Sequence, residues 1–200
     1  MNAKTRRAVI ETALLVGLAI LIAVLLRAFV AQAFRIPSSS MEPQLLVGDR
    51  VVVSRLAYDA HAPRRGDIVV FDCPPGAGCP DAPDDALPVR AFKTVAEALL
   101  LRQPEVEEFI KRVIGLPGET IEGRDGAVYV DGHKLIEPYL PAGTLTSDFG
   151  PIVVEDGHLW VMGDNRGNSA DSRVFGQIEQ DSIVGRAIAR VWPPQRIAFL

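Results

Sequence analysis

Three hydroxyls lie between two prolines in Ile36-Pro37-Ser38-Ser39-Ser40-Met41-Glu42-Pro43. Each proline fixes its own φ and pushes the preceding residue toward extended geometry. The segment is therefore predicted to stay open, able to aim a hydroxyl at a bound peptide and leave main-chain N–H groups free. By itself a Ser-Ser-Ser run reads as a polar turn. To act as a nucleophile, one of these serines needs a base. The usual base is histidine, but His61, His133 and His158 each sit in a turn-like setting (Ala-His-Ala-Pro, Asp-Gly-His-Lys, Asp-Gly-His-Leu). No Gly-x-Ser-x-Gly elbow is present either. A Ser-His-Asp triad is thus disfavoured.

Lysine is the other candidate base. Lys4 lies in a basic N-terminus, Lys93 in a stretch without strand character, and Lys134 after a hairpin turn. Lys111 alone stands inside an apolar strand, between Ile110 and Arg112-Val113-Ile114. On a strand it shares a face with Phe109 and Val113, where burial would lower its pKa. An outward-facing strand lysine is the commoner case. Near pH 7 an ordinary lysine is neutral only about four times in ten thousand, and a drop of about 2 units raises that nearly a hundredfold. A nearby hydroxyl, from Ser169 or Ser172 in the polar run Gly163–Arg173, could orient the neutral amine. Asp171 and Arg173 suit an ion pair there; Asp171 set directly against Lys111 would raise its pKa and oppose catalysis.

The elements that must position these groups are mainly strands. Gly and Pro are frequent, the Val/Ile runs are short, and 48% of residues are apolar. This favours a β-rich fold with many turns. Strands are predicted at 50–54, 68–71, 108–115, 127–130, 152–155, 159–162 and 183–192. Residues 72–106 are read as an insertion from that framework: a Pro/Gly/Asp-rich loop, then a short helical pattern at 91–102. The net charge of −4 gives no reason to expect nucleic acid. Cys73 and Cys79 have no ligand partners at zinc spacing. They are compatible with a small disulfide loop in an oxidising compartment or with a reduced loop in the cytosol.

Residues 1–7 are basic, and 8–27 are almost wholly apolar. About 19 helical residues rise roughly 28 Å, close to the thickness of a hydrocarbon core. A cleaved signal peptide would want a shorter apolar core, and Ala31-Gln32-Ala33 is a weak cleavage site. A retained anchor fits better, with Lys4, Arg6 and Arg7 in the cytoplasm and the remainder, 28–200, exported. Residues 28–34 are expected to leave the helix along the membrane surface.

Four ordered motifs then carry a resemblance. They are Pro37-Ser38-x-Ser40-Met41-x-Pro43, Arg65-Gly66-Asp67-Ile68-Val69, Lys111-Arg112-Val113-Ile114-Gly115-Leu116-Pro117-Gly118, and Gly163-Asp164-Asn165-Arg166-x-Asn168-Ser169-x-Asp171-Ser172-Arg173. With the N-terminal anchor, the chain resembles bacterial type I signal peptidases (leader peptidases). The resemblance implies a single transmembrane helix followed by an all-β catalytic domain facing the periplasm from the inner membrane. It implies a Ser/Lys endopeptidase that needs no cofactor or metal and cuts signal peptides from exported preproteins after small residues, in an Ala-x-Ala-like context. Ser40 falls on the nucleophile and Lys111 on the general base. Ser38 and the Ser40 N–H fall on the oxyanion hole, and Ser169 on the lysine-orienting serine. Asp171 and Arg173 fall on a supporting ion pair. Ile36, Pro37 and Ile110 fall on the walls of the substrate pockets. Expected partners are preproteins, the bilayer and the export translocon.

The chain departs from the family pattern in places. Ser39 stands where glycine is frequent and Gly167 where an acidic residue is frequent. The insertion has no counterpart. Two rivals stay open: a Ser/Lys peptidase dedicated to pilus or conjugation maturation, and a non-catalytic, membrane-anchored peptide-binding β-domain.

Overall fold

The computed structural model describes residues 5–7, 10–12, 14–19, 31–59, 61–74, 76–77 and 108–200. The chain divides into two compact units, Met1–Gln32 with Pro83–Pro104, and Ala33–Ala82 with Glu105–Leu200. In the first, residues 5–7, 10–12 and 14–19 are helical, and Arg7 Nε donates to Glu11 at 2.9 Å, one turn on. Among the described residues no helix is long and apolar enough to cross a membrane. Most of the predicted span 8–27 lies outside the described residues, as does most of the insertion, including its helical pattern at 91–102.

The second unit is built of strands. Among the described residues these are β1 (Ala31–Arg35), β2 (Arg50–Ser54), β3 (Ile68–Asp72), β4 (Glu108–Gly115), β5 (Thr120–Arg124), β6 (Ala127–Val130), β7 (His133–Lys134), β8 (Phe149–Val153), β9 (His158–Met162), β10 (Ile178–Glu179), β11 (Ile183–Trp192) and β12 (Ala198–Phe199). One sheet runs β1-β2-β11-β3-β4-β9-β10, with β12 also paired to β11; the other runs β7-β6-β5-β8. Every pairing whose register is defined is antiparallel. The predominance of β structure agrees with the sequence reading, and β2, β4, β6 and β11 fall where they are predicted. The last strand predicted before the 159–162 segment sits a little early, at Phe149–Val153 rather than 152–155.

Residues 31–35 form β1, a strand the sequence reading does not place, because Ala33-Phe34-Arg35 alternates: Phe34 packs on the core while its neighbours face outward. Strands β5, β7, β10 and β12 were not anticipated. β7, β10 and β12 are two residues each, too short to carry a period-2 signal, and β5 is interrupted by Gly123 and carries three polar residues.

β3 and β4 are the spine. β3 reads Ile-Val-Val-Phe-Asp, its first four residues buried; it lies between β11 and β4, so both faces are covered and no alternation is needed. Its register sets Val69 opposite Lys111 and Ile68 opposite Arg112. One face packs Ile36, Met41, Leu45, Val51, Val53, Ile68, Val70 and Ile110 together. The other packs Val69, Phe71, Val113, Leu159, Val161 and Ile178. A third cluster, with Ile114, Ile121, Val128, Val154, Trp160 and Met162, joins the two sheets. At that junction Gly115 admits no side chain: a Cβ would sit 2.6 Å from Ile121 Cγ1.

Candidate active site

The Ser38–Ser40 segment leaves β1 and enters a tight turn. Ile36 anchors its start, donating to Asp49 O and accepting from Gly48 N, both at 2.9 Å. Met41 and Leu45 anchor its end by plugging the first core cluster. Leu45 N donates to Met41 O at 2.8 Å, and Glu42 N to Ser39 O at 3.1 Å. Buried apolar neighbours on both sides leave Ser40 little freedom, and it is itself buried. Ser38 is exposed beside it, with the two Oγ atoms 3.2 Å apart.

β4 delivers Lys111 to the same point. Its Nζ lies 3.0 Å from Ser40 Oγ and 2.9 Å from Ile110 O, and the residue is only 3% exposed. The amine also lies 5.3 Å from the centre of the Phe109 ring, on the face shared by alternate residues of the strand. Burial lowers the lysine pKa from 10.5 to about 8, against a smaller upward pull from the Asp171 charge. In its neutral form the amine has one lone pair, which can accept the Ser40 proton while an N–H stays on Ile110 O.

The polar run is largely buried. Asp171 is fully buried and accepts from Arg173 Nε and Nη2, each at 2.8 Å, and from Gly163 N at 3.0 Å. Burial alone would raise its pKa; these donors outweigh burial and hold the carboxyl below its ordinary value. The same side chain caps the short helix Ser172–Phe175, accepting from Arg173 N at 3.2 Å. Ser172 Oγ accepts from Val161 N at 2.9 Å, which fastens that helix to β9. Ser169 lies beside the dyad with its Oγ buried; it makes no bond to the lysine and instead helps hold the Asp171 carboxyl below its ordinary value. It crowds Gly163, where a Cβ would come within 2.2 Å of Ser169 Oγ and 2.5 Å of Ser40 O.

Among the sequence-predicted residues, then, Ser38, Ser40 and Lys111 meet, and Asp171 pairs with Arg173. Ile36 and Ile110 share one buried cluster, with Pro37 exposed next to them. The histidines stand apart: His61 bonds to Ala62 O, His158 to Asp156 O, and His133 is exposed.

Several supports escaped the sequence reading. Arg112 makes a two-pronged buried pair with Asp164 (2.8 and 2.7 Å) and donates to Gly66 O at 2.8 Å. Its guanidinium also lies 3.9 Å from the centre of the Tyr139 ring. Arg166, buried, is held by Glu137 and by Thr146 Oγ1 at 3.0 Å. Asn165 and Asn168 reach Ser39: Asn165 Nδ2 donates to Ser39 O at 3.1 Å, and Asn168 Nδ2 to Ser39 Oγ at 3.0 Å. Behind the turn, Arg190 and Arg196 both donate to Gln44 O, and both approach Asp49 Oδ2, at 3.9 and 3.3 Å. The one available signal was the density of Arg, Asp and Asn around 163–173 and next to Lys111; their pairing depends on contacts between residues far apart in the chain.

Cys73 is disulfide-bonded; the chain's other cysteine, Cys79, lies outside the described residues.

The serine run turns at Ser38–Ser40 rather than staying extended as its prolines predict, because Glu42 N and Leu45 N close turns onto Ser39 O and Met41 O. A serine hydroxyl beside a buried amine suits acyl transfer without histidine, and serine endopeptidases are the class of enzyme that carries it out on peptides. Comparison with known proteins narrows the class. Residues 9–192 match the family described as signal peptidase, peptidase S26, and the chain belongs to that family. It is 39% identical over 182 residues to a probable signal peptidase I-2 of Synechocystis sp., covering 91% of this chain and 72% of that protein. To signal peptidase I of Leptolyngbya laminosa it is 39% identical over 186 residues, covering 92% and 80%. The crystal structure of a signal peptidase I from Enterococcus faecalis aligns with a TM-score of 0.42 and 30% identity, over 62% of this chain and 95% of that one.

Proposed function

We propose that this protein is a membrane-bound Ser/Lys endopeptidase that removes signal peptides from exported preproteins. The observation that carries the reading is the 3.0 Å approach of Lys111 Nζ to Ser40 Oγ, with the lysine buried and its pKa lowered to about 8. At that value roughly a tenth of the amine is neutral at pH 7, against about four in ten thousand for an ordinary lysine.

In the proposed reaction the substrate lies extended, its small side chains against Ile36, Pro37 and Ile110. Ser40 Oγ attacks the scissile carbonyl as its proton passes to Lys111 Nζ. The oxyanion is met by the Ser40 N–H and the Ser38 hydroxyl. Such donors are each worth about 3 kcal/mol in comparable sites. Lys111 returns the proton to the leaving amine, which leaves an acyl-enzyme on Ser40. Water attacks that ester, giving its proton to Lys111, and Ser40 regains a proton as the product acid departs. Ser169 acts with Arg173 on Asp171, and because Asp171 is paired with Arg173 its pull on the Lys111 proton is limited.

The apolar stretch 8–27 would be a single membrane anchor with a cytoplasmic N-terminus, placing the β unit at the outer face of the inner membrane near the export translocon. The test mixes the purified full chain with a labelled preprotein whose signal peptide ends in Ala-x-Ala and maps the cut by mass spectrometry. One cut directly after that motif is expected. Cutting that persists in Ser40→Ala, or the absence of any cut, would overturn the reading. Cleavage confined to one preprotein out of several would favour a dedicated maturation peptidase.

A further inference from the structure

We propose that Asn165 is a positioning residue that aims the Ser40 N–H at the oxyanion. This rests on the reaction proposed above and assigns one of its geometric requirements to a side chain outside the dyad. The peptide between Ser39 and Ser40 is trans. In a planar trans peptide the C=O and N–H point in opposite directions, so whatever holds Ser39 O also sets the direction of the Ser40 N–H.

Two donors hold that oxygen: Asn165 Nδ2 at 3.1 Å and Glu42 N at 3.1 Å. Asn165 takes the next carbonyl as well, its own N–H donating to Ser40 O at 3.0 Å. One residue thus grips two successive carbonyls across the nucleophile. Rotation of the peptide plane would break both bonds to Ser39 O. Donation to the carbonyl also polarises the amide and strengthens its N–H as a donor.

Asn165 can act this way because its neighbours in sequence are immobilised. Asp164 is fixed by Arg112, and Arg166 by Glu137, Thr146 and the Gly163 carbonyl. Asn168 adds a bond to Ser39 Oγ, available only because position 39 carries a hydroxyl. A merely structural role for Asn165 would lower stability and leave the chemistry of the folded enzyme intact. Aiming an oxyanion donor has a different signature: it acts on the tetrahedral state and not on the ground state.

The test compares full-length wild type, Asn165→Ala and Asn165→Asp on one labelled preprotein, with thermal melting in parallel. The aspartate is isosteric and keeps the backbone bond to Ser40 O, but its carboxylate faces the Ser39 carbonyl without a donor. It therefore serves as the informative variant if the alanine fails to fold. Both variants are expected to lose kcat roughly tenfold or more, short of the 10²–10³ for deleting such a donor outright, with KM within about twofold. In the alanine variant the pH midpoint should not move, because Asn165 does not touch Lys111. A peptide boronic acid ending in Ala-x-Ala, which forms a tetrahedral adduct on the serine, should lose affinity by the same factor as kcat. Unchanged kcat, or a lower melting temperature with unchanged boronate affinity, overturns the proposal. Ser40→Ala separates the two readings: if it still cuts, the Ser/Lys reaction itself is wrong; if it is dead while Asn165→Asp keeps full kcat, only the aiming role falls.

Discussion

Lys111 and Arg112 are adjacent on β4, both buried, and differ in what surrounds their charge. Successive strand residues face opposite sides. Lys111 turns toward Ser40 and the Phe109 ring; the carboxylate that acts on it, Asp171, is already paired with Arg173. Arg112 turns toward Asp164, which accepts two of its donors. One cation is left without a counter-ion of its own and loses affinity for its proton. The other is kept charged and fastens the loop that carries Asn165.

If the amine is the base, removing either reacting group should end processing. Ser40→Ala and Lys111→Ala are each expected to lose at least about 10³-fold in kcat, with circular dichroism unchanged. A Lys111→Ala enzyme with near-native turnover would mean that the proton goes elsewhere.

The pH dependence follows from the same pKa. The base works only when uncharged, so kcat/KM should rise with pH through about 8, the lowered value for Lys111. A midpoint near 6.5, where an ordinary histidine titrates, would implicate a histidine and contradict the assignment.

Burying Lys111 should also cost stability. Its folded pKa lies below the unfolded value, so the folded state binds fewer protons between about 8 and 10.5. Below pH 8 the penalty is present in full; it fades as pH rises through that window. Lys111→Met removes the penalty and two hydrogen bonds, to Ser40 Oγ and Ile110 O. It should raise stability at pH 7 by about 1–3 kcal/mol, or several degrees in melting temperature, while abolishing activity. The gain should shrink as pH rises from about 8 toward 10.5. A destabilised Lys111→Met protein at pH 7 would show that the site is not strained in this way.

The Arg112–Asp164 pair should respond in the opposite sense. Asp164→Ala leaves a buried guanidinium without its partner, a loss of about 3–5 kcal/mol. Urea unfolding should show it, and added salt should not rescue it, because buried charges are poorly screened. A loss under about 1 kcal/mol would place Arg112 in contact with water.

Much of this arrangement could be read from residue types. Lys111 stands out because it alone among the lysines lies inside an apolar strand, and β4 forms where that run predicts. Asp171 and Arg173, two positions apart, form the pair expected of them. The rest is set by contacts between distant segments. Nothing local tells Asn165 to bond residues 39 and 40, or Arg166 to find Glu137, since both depend on how β9 and the second sheet pack against β4. Ser169 is expected to orient the lysine through a hydrogen bond, yet its hydroxyl, pressed against Gly163, makes none to Lys111 and acts on the Asp171 carboxylate instead. β1 was missed because the apolar run before it masks the brief alternation at Ala33-Phe34-Arg35.

The grip of Arg190 and Arg196 on Gln44 O joins positions about 150 apart in the chain. During synthesis the serines and the amine emerge well before either arginine. A nascent chain halted between them would hold both reacting groups, while the backbone just past the nucleophile would still lack its clasp. The turn that follows the nucleophile is therefore fastened only after nearly the whole chain has been made.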